Sequence, residues 1–440
     1  MNFIRITNFA MSQFMRHFTL VFSGNIFAAG LGFLTVLIIS RKLTVSDFGL
    51  FNVAISIIPI TFYLSCLGMN TAMVTIASSY LCENKKAEAF HVLKASFFVI
   101  TVLGSFFAGI IFLTADFLSE KVFQIPSLTP LLRLAAFGGL SVSLLNYLKS
   151  TLHVFQMFRW SVAVQLFVDG AKLFAVIGSV FFLQMNVLVA VAIFTFVPLL
   201  SLMFGFKWFS VILSCEKRVM KGIIGRFLSY SKWIFVGGTC RLLLPYVGLF
   251  MITKIIDSKA AGFYGLALNL SYIFPIMISS LQSVLLPKVS KFRKGTQYEN
   301  YIKNALRIST LLALIFIPFI FFSRNIIVFC FGLKYTDCVS IFNVLVLSYL
   351  MFTISSAIHV ALYSLNKPHV VAFVDAVKLA TMVIGCYFLI PLFGVIAPAF
   401  MLLVINAVDL GFYILYVFRY MRNGLLTLQT GEIIKPQQGE

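Results

Sequence analysis

The sequence predicts an all-α polytopic membrane protein, about twelve transmembrane helices arranged as two six-helix lobes related as parallel repeats. Three observations carry that expectation. Apolar residues make up 60% of the 440 and charged residues only 11%, with mean hydropathy +1.01; soluble domains carry about 25% charged residues. Apolar runs near the roughly 20 residues that cross hydrocarbon recur along the whole chain. A short acid–base motif is also written twice. Phe167-Val168-Asp169-Gly170-Ala171-Lys172-Leu173 returns 206 residues later as Phe373-Val374-Asp375-Ala376-Val377-Lys378-Leu379.

In chain order, residues 1–18 mix apolar side chains with Arg5, Arg16 and His17. They suit an interfacial lead-in rather than a cleaved signal peptide, because no small-residue cleavage site ends the apolar run behind them. Spans are expected at 20–39, 50–67, 95–114, 131–148, 162–182 and 187–206. The second half gives 233–252, 264–286, 305–322, 341–363, 370–389 and 395–418. The basic loop near 207–232 divides them, so the lobes are drawn as 1–215 and 216–440, with a short tail that looks disordered from Thr427.

A second internal match supports the division. Phe48-Gly49-Leu50 leads to Ile57, Pro59 and Ile60; Tyr264-Gly265-Leu266 leads to Ile273, Pro275 and Ile276, an offset of 216. Six spans is an even number, so both halves enter the membrane in the same direction. The two prolines fall at equivalent depths, where a lost backbone donor suits a bending element; a plain packing kink is the other reading.

Orientation follows from Lys and Arg. With both termini on the cytoplasmic side, the inner segments hold 23 of the 34 basic residues and the outer loops 8. The net charge of +20 is therefore a topology signal and an anionic-lipid contact. No folded basic domain is left to bind nucleic acid.

The candidate functional residues are the ionisable groups within spans: Asp169 and Lys172, Arg241, Asp375 and Lys378, and Asp409. Each costs roughly 2.5–3.5 kcal/mol at a helix centre unless it has a use or a partner. A central cavity between the halves would collect them, with Gln165 extending the stripe of Asp169 and Asn25 standing where the repeat puts Arg241. The two acid–base pairs also read as self-neutralising packing pairs, and Asp409 as a group reaching interfacial water. Arg241 has no acid within one turn and stays charged. It is the best single candidate for substrate contact, with Lys172 and Lys378 beside it; the three acids are candidates for ion coupling or charge pairing.

Soluble-enzyme chemistry is not expected. The chain has no phosphate-binding GxxxxGK[ST] loop. Its five histidines and seven cysteines show no metal spacing, so neither metal nor cofactor is expected. Gly30-Leu31-Gly32 reads as a helix-packing feature.

The ordered motifs resemble a known group. They are the run from Arg41 to Phe51, Phe155-Gln156-Met157-Phe158-Arg159, Ala261-Gly262-Phe263-Tyr264-Gly265, Leu286-Pro287-Lys288-Val289-Ser290 and Asn366-Lys367-Pro368. With twelve spans in two repeats, the chain resembles the multidrug/oligosaccharidyl-lipid/polysaccharide exporter superfamily, and within it the Wzx-type flippases of O-antigen and related repeat units. The resemblance implies a polar, often cationic cavity and alternating access in a bacterial inner membrane. It implies an undecaprenyl-pyrophosphate-linked glycan as substrate, with membrane lipids, a polysaccharide polymerase and a chain-length regulator as candidate partners. Two rivals stay open: a cation-coupled drug antiporter of the same superfamily, and a membrane polysaccharide polymerase or ligase, which would need a longer outer loop than any here.

Overall fold

The computed structural model describes residues 2–205, 223–278, 296–364 and 368–429, and among these it contains helices and turns and no strand. The first half comprises α1 (Asn2–Lys42), α2 (Val45–Cys66), α3 (Met69–Cys82), α4 (Lys86–Asp116), α5 (Leu128–Val154), α6 (Phe158–Phe182) and α7 (Val187–Phe196). The second comprises α8 (Ile223–Ile255), α9 (Ser258–Ser271), α10 (Thr296–Leu314), α11 (Ile317–Phe321), α12 (Ser323–Phe331), α13 (Cys338–Ser364), α14 (Pro368–Phe393) and α15 (Ala397–Gln429). The boundary drawn at 215, and the motifs at 286–290 and 366–367, lie outside the described residues.

Eleven described stretches are long and apolar enough to cross a membrane. The last, Val371–Leu415, runs for 45 residues and is broken by the turn Gly394–Ile396. At about 1.5 Å per residue it is twice the hydrocarbon thickness. It therefore counts as two crossings, α14 and α15, and the described residues hold twelve. Large apolar side chains such as Phe98, Phe174, Phe329 and Phe388 stay exposed, as a lipid-facing surface requires.

Local chemistry sets the helix ends. Thr44 caps α2 by accepting from the Asp47 amide at 3.1 Å, and Asp47 lies in the first turn, where the helix dipole favours an acid. Asn186 and Asp257 cap α7 and α9 in the same way. α2 runs through Pro59 and stops at Leu67 and Gly68, both with positive φ. Gly68 tolerates that conformation without a Cβ penalty. The chain then makes α3, an extra helix that the span count did not contain. The counterpart Pro275 differs, for the helix is interrupted at Tyr272, three residues before it.

Packing repeats with the sequence. α1 lies on α6 as α8 lies on α14; α2 on α5 as α9 on α13; α4 on α5 as α10 on α13; α5 on α7 as α13 on α15. Each pairing returns six spans later, which is the parallel repeat in physical form.

The halves meet chiefly where α2 crosses α9. A Cβ on Gly49 would overlap the Ser258 carbonyl oxygen, and one on Gly262 would overlap that of Val45. Only glycine permits backbones this close. The Ser46 and Ser258 hydroxyls bond across the crossing at 2.5 Å, and Asn269 Nδ2 donates to Asn52 Oδ1 at 2.7 Å. Beside it the halves trade helix caps. Arg41, ending α1, donates to the Cys330 and Phe329 carbonyls that end α12, at 2.5 and 2.6 Å. Lys334 donates to the Leu43 and Arg41 carbonyls at 2.7 and 3.3 Å, and the Tyr335 hydroxyl to the Ser40 carbonyl at 3.1 Å. Gly30 and Gly32 correct an expectation: a Cβ at either meets nothing within 4 Å, so neither packs a helix.

The contrast gives a test. Gly49→Val should destabilise the purified protein by about 1–3 kcal/mol, the usual cost of overpacking, and lower its melting temperature. Gly30→Val should leave that temperature where it is. Equal melting temperatures would mean that the crossing is loose.

Candidate functional site

The interior charges form two clusters, one in each half, rather than the single central collection that the sequence suggested. In the first half α6 carries Gln165, Asp169 and Lys172, at spacings of four and three that place them on one helix face. Lys172 Nζ stands 3.2 Å from Asp169 Oδ1, and Gln165 Nε2 donates to Asp169 Oδ2 at 2.6 Å. Lys149, arriving from α5, donates to Gln165 Oε1 at 2.7 Å. The Lys172 ammonium also lies 5.5 Å over the Phe194 ring of α7, a cation–π contact. Asp169 is buried.

The second cluster is a chain of alternating charge. Arg241 Nη2 on α8 stands 2.6 Å from Asp375 Oδ2 on α14. Asp375 Oδ1 stands 3.5 Å from Lys378 Nζ one turn on, and Lys378 reaches Asp409 Oδ1 on α15 at 2.5 Å. Both carboxylates are buried, while the Arg241 side chain keeps 33% of its surface exposed. Gly237, one turn before Arg241, explains the close approach of α8 and α14: a Cβ there would stand 3.1 Å from Ala372 Cα and 3.3 Å from Asp375 Oδ2. The Tyr413 ring closes the far side, 5.9 Å from Lys378 Nζ.

Three expectations change. Arg241 lacks an acid on its own helix, but Asp375 supplies one from a neighbouring helix 134 residues away, so its charge is compensated within the protein. The duplicated pairs form, at 3.2 and 3.5 Å, yet neither is self-contained: each is extended by a further helix. Asp409 is buried against Lys378 instead of reaching interfacial water. Asn25, the repeat counterpart of Arg241, is exposed and has no hydrogen-bond partner among the described residues. Gln165 and Lys149 take that place beside Asp169.

Lys149 was not singled out from sequence. Lys149 follows the expected end of span 4 and reads as an inner-loop charge, but α5 continues to Val154 and carries it inside. The helical continuity of 149–154 was the available signal. A cleft of about 420 Å³ lined by Lys42 and residues 180–185 lies at the ends of α1 and α6, away from both clusters. Among the described residues no three His, Cys, Asp or Glu side chains gather as metal ligands would.

Comparison with known proteins places this geometry in a wider group. The profile of a family described as polysaccharide biosynthesis protein matches residues 38–340. No curated protein matches the chain in sequence. Among solved structures, an inward-facing multidrug resistance MATE family transporter of the MOP superfamily aligns with TM-score 0.78 and 11% identity, over 91% of this chain and 96% of its own. The lipid II flippase MurJ, in an inward closed conformation, aligns with TM-score 0.74 and 13% identity, over 95% and 94%. A mutant of the Vibrio cholerae MATE transporter VcmN aligns with TM-score 0.67 and 12% identity, over 94% and 97%. At such identities the likeness speaks for the fold alone, and that fold is the one these transporters share.

The alternating chain predicts a non-additive response. Lys378→Met removes the ammonium that meets the buried Asp375 and Asp409 carboxylates and should cost about 3–5 kcal/mol, as breaking a buried pair does. Adding Asp409→Asn should restore most of the lost melting temperature. Additive losses in the double variant would show that the two groups do not depend on each other.

Proposed function

The chain belongs to the polysaccharide biosynthesis protein family, and on that premise we propose that it is a flippase for lipid-linked polysaccharide repeat units. Its substrate is an undecaprenyl-pyrophosphate-linked glycan of the O-antigen kind, moved across the bacterial inner membrane by alternating access of two lobes, 1–215 and 216–440. The physical problem is the head group. Sugars and pyrophosphate cannot enter hydrocarbon without partners, each unpaired polar group costing several kcal/mol. A polar interior that replaces water around them removes that cost, while the polyprenyl tail remains in the bilayer.

The observation that carries the reading is the sign of the interior. Lys149, Lys172, Arg241 and Lys378 face three carboxylates, Asp169, Asp375 and Asp409, so among the described residues of the two clusters cations outnumber anions. An organic-cation antiporter would need a carboxylate open to its cargo, whereas all three acids here already hold a basic group. Arg241 is the partly exposed member of the charge chain, and its planar fork of five donors can serve Asp375 and a phosphate oxygen together. Lys378 holds Asp375 and Asp409 beside it, and Lys172 holds Asp169 in the other half; both share the head group in this reading. The protein performs no covalent chemistry in this reading, and its partners are the lipid-linked glycan, membrane lipids and the polymerase and chain-length machinery that would receive the product.

Surface glycan in a flippase-deficient strain tests the role of Arg241. Arg241→Gln should abolish display while the protein stays in the membrane fraction, and Arg241→Lys should be partly active. The double variant Arg241→Gln with Asp375→Asn removes both charges of the pair, so a merely structural role predicts recovery. Continued loss, with lipid-linked units accumulating on the cytoplasmic side, is expected; full display would remove Arg241 from the site. Reporter fusions test the orientation. Those after residues 215 and 295 should report cytoplasm and those near 125 and 258 periplasm, and a periplasmic signal at 215 would overturn the two-lobe reading.

A further inference from the structure

The two clusters differ in their charge balance. In the second half Arg241 and Lys378 meet Asp375 and Asp409, two cations for two anions. In the first half Lys149 and Lys172 share the single carboxylate of Asp169, leaving one positive charge over. The excess belongs to Lys149. Lys172, Arg241 and Lys378 each lie within ion-pair distance of a carboxylate, whereas Lys149 meets only the neutral amide oxygen of Gln165.

Gln165 explains how such an arrangement persists. Its amide nitrogen is spent on Asp169 and its oxygen receives Lys149, so the side chain spaces the ammonium from the carboxylate instead of letting them collapse together. Lys149 is thereby fixed beside Asp169 without touching it, its ammonium met by a neutral oxygen. An ammonium has three donors. Gln165 Oε1 is the one hydrogen-bond partner it has among the described residues, which leaves two N–H groups for a ligand. A half-buried cation held this way is costly in an apolar bundle unless an anion completes it.

We propose that Lys149 is a substrate-binding residue that takes the pyrophosphate of the carrier lipid, supplying the surplus positive charge of the interior. The assignment rests on the flippase reading above and deepens it. Asp169, Gln165 and Lys172 then act as positioning residues that set the ammonium's place. Lys149 sits near the end of α5, at the inner side in the proposed orientation, where a head group arriving from the cytoplasmic leaflet is met first.

The test uses the full-length protein in nanodiscs of zwitterionic phospholipid, with undecaprenyl pyrophosphate and undecaprenol as paired probes. Wild-type protein should prefer the pyrophosphate. Lys149→Gln can still donate to Gln165 but carries no charge. It should weaken undecaprenyl pyrophosphate binding about tenfold or more, the size of one charge-assisted hydrogen bond, and leave undecaprenol binding unchanged. Lys149→Arg should stay within about threefold of wild type, since it keeps the charge. Pyrophosphate binding by Lys149→Gln equal to wild type would overturn the role of Lys149 and leave the flippase reading standing. Equal loss of both probes in Lys149→Gln and Lys149→Arg would also overturn it, as a general structural effect. No preference for pyrophosphate over undecaprenol in the wild-type protein would overturn the flippase reading itself.

Discussion

An ion inside hydrocarbon must be met by an opposite ion or by a polar group, and that requirement organises this protein. Membrane helices gain little from burying apolar surface against one another, since lipid is as apolar as they are. What singles out particular helix neighbours is polar contact. Asp375 ties α14 to α8 through Arg241, and Lys378 ties α14 to α15 through Asp409. In the first half Gln165 binds α6 to α5 through Lys149. Each half is thus pinned internally by its own charges.

Between the halves the chemistry is different. No ion pair links the two clusters among the described residues; the contact is made by glycines, serines and asparagines where α2 crosses α9. Small side chains permit close approach without an electrostatic bond to break. A molecule pinned by ion pairs within a half, and joined across the halves without an ion pair among the described residues, is suited to relative motion of the halves. Further along, Tyr63 stacks on Phe235 at 6.0 Å, and its hydroxyl occupies the space where a Cβ at Gly238 would lie. The α2–α8 side is therefore also closely packed.

Much of the fold was legible in the sequence because hydrocarbon thickness sets a length that apolar runs must match, and all twelve expected spans have a helix. The duplicated Asp-x-x-Lys was legible for a related reason, since spacing on a helix fixes proximity. Contacts across helices were not. Nothing local to Arg241 announces Asp375, because the pair depends on which helices pack, and Gly237 reads only as a small residue until α14 lies against it. Lys149 was hidden by a boundary: a charge near a helix end looks like loop when the apolar run stops earlier. The emptiness around Gly30 and Gly32 was equally invisible, as a glycine's meaning depends on its neighbour.

The exchanged caps have a thermodynamic consequence. Arg41, Lys334 and Tyr335 cover carbonyls that terminate helices of the opposite half, and the Arg41 bonds lie at an exposed end of the bundle. Were the halves to part there, water could take over every one of those carbonyls. Each exchanged hydrogen bond would then cost only about 1.5–3 kcal/mol net for the charged donors Arg41 and Lys334, and about 0.5–1.5 kcal/mol for Tyr335. The same contacts placed at mid-membrane would have no substitute and would lock the halves together. The seam is therefore a hydration-reversible one, strong enough to hold while dry and open to dissolution by the solvent on its own side. Its strength should follow water activity, so that an excluded solute tightens the closed form in proportion to the carbonyls left uncovered.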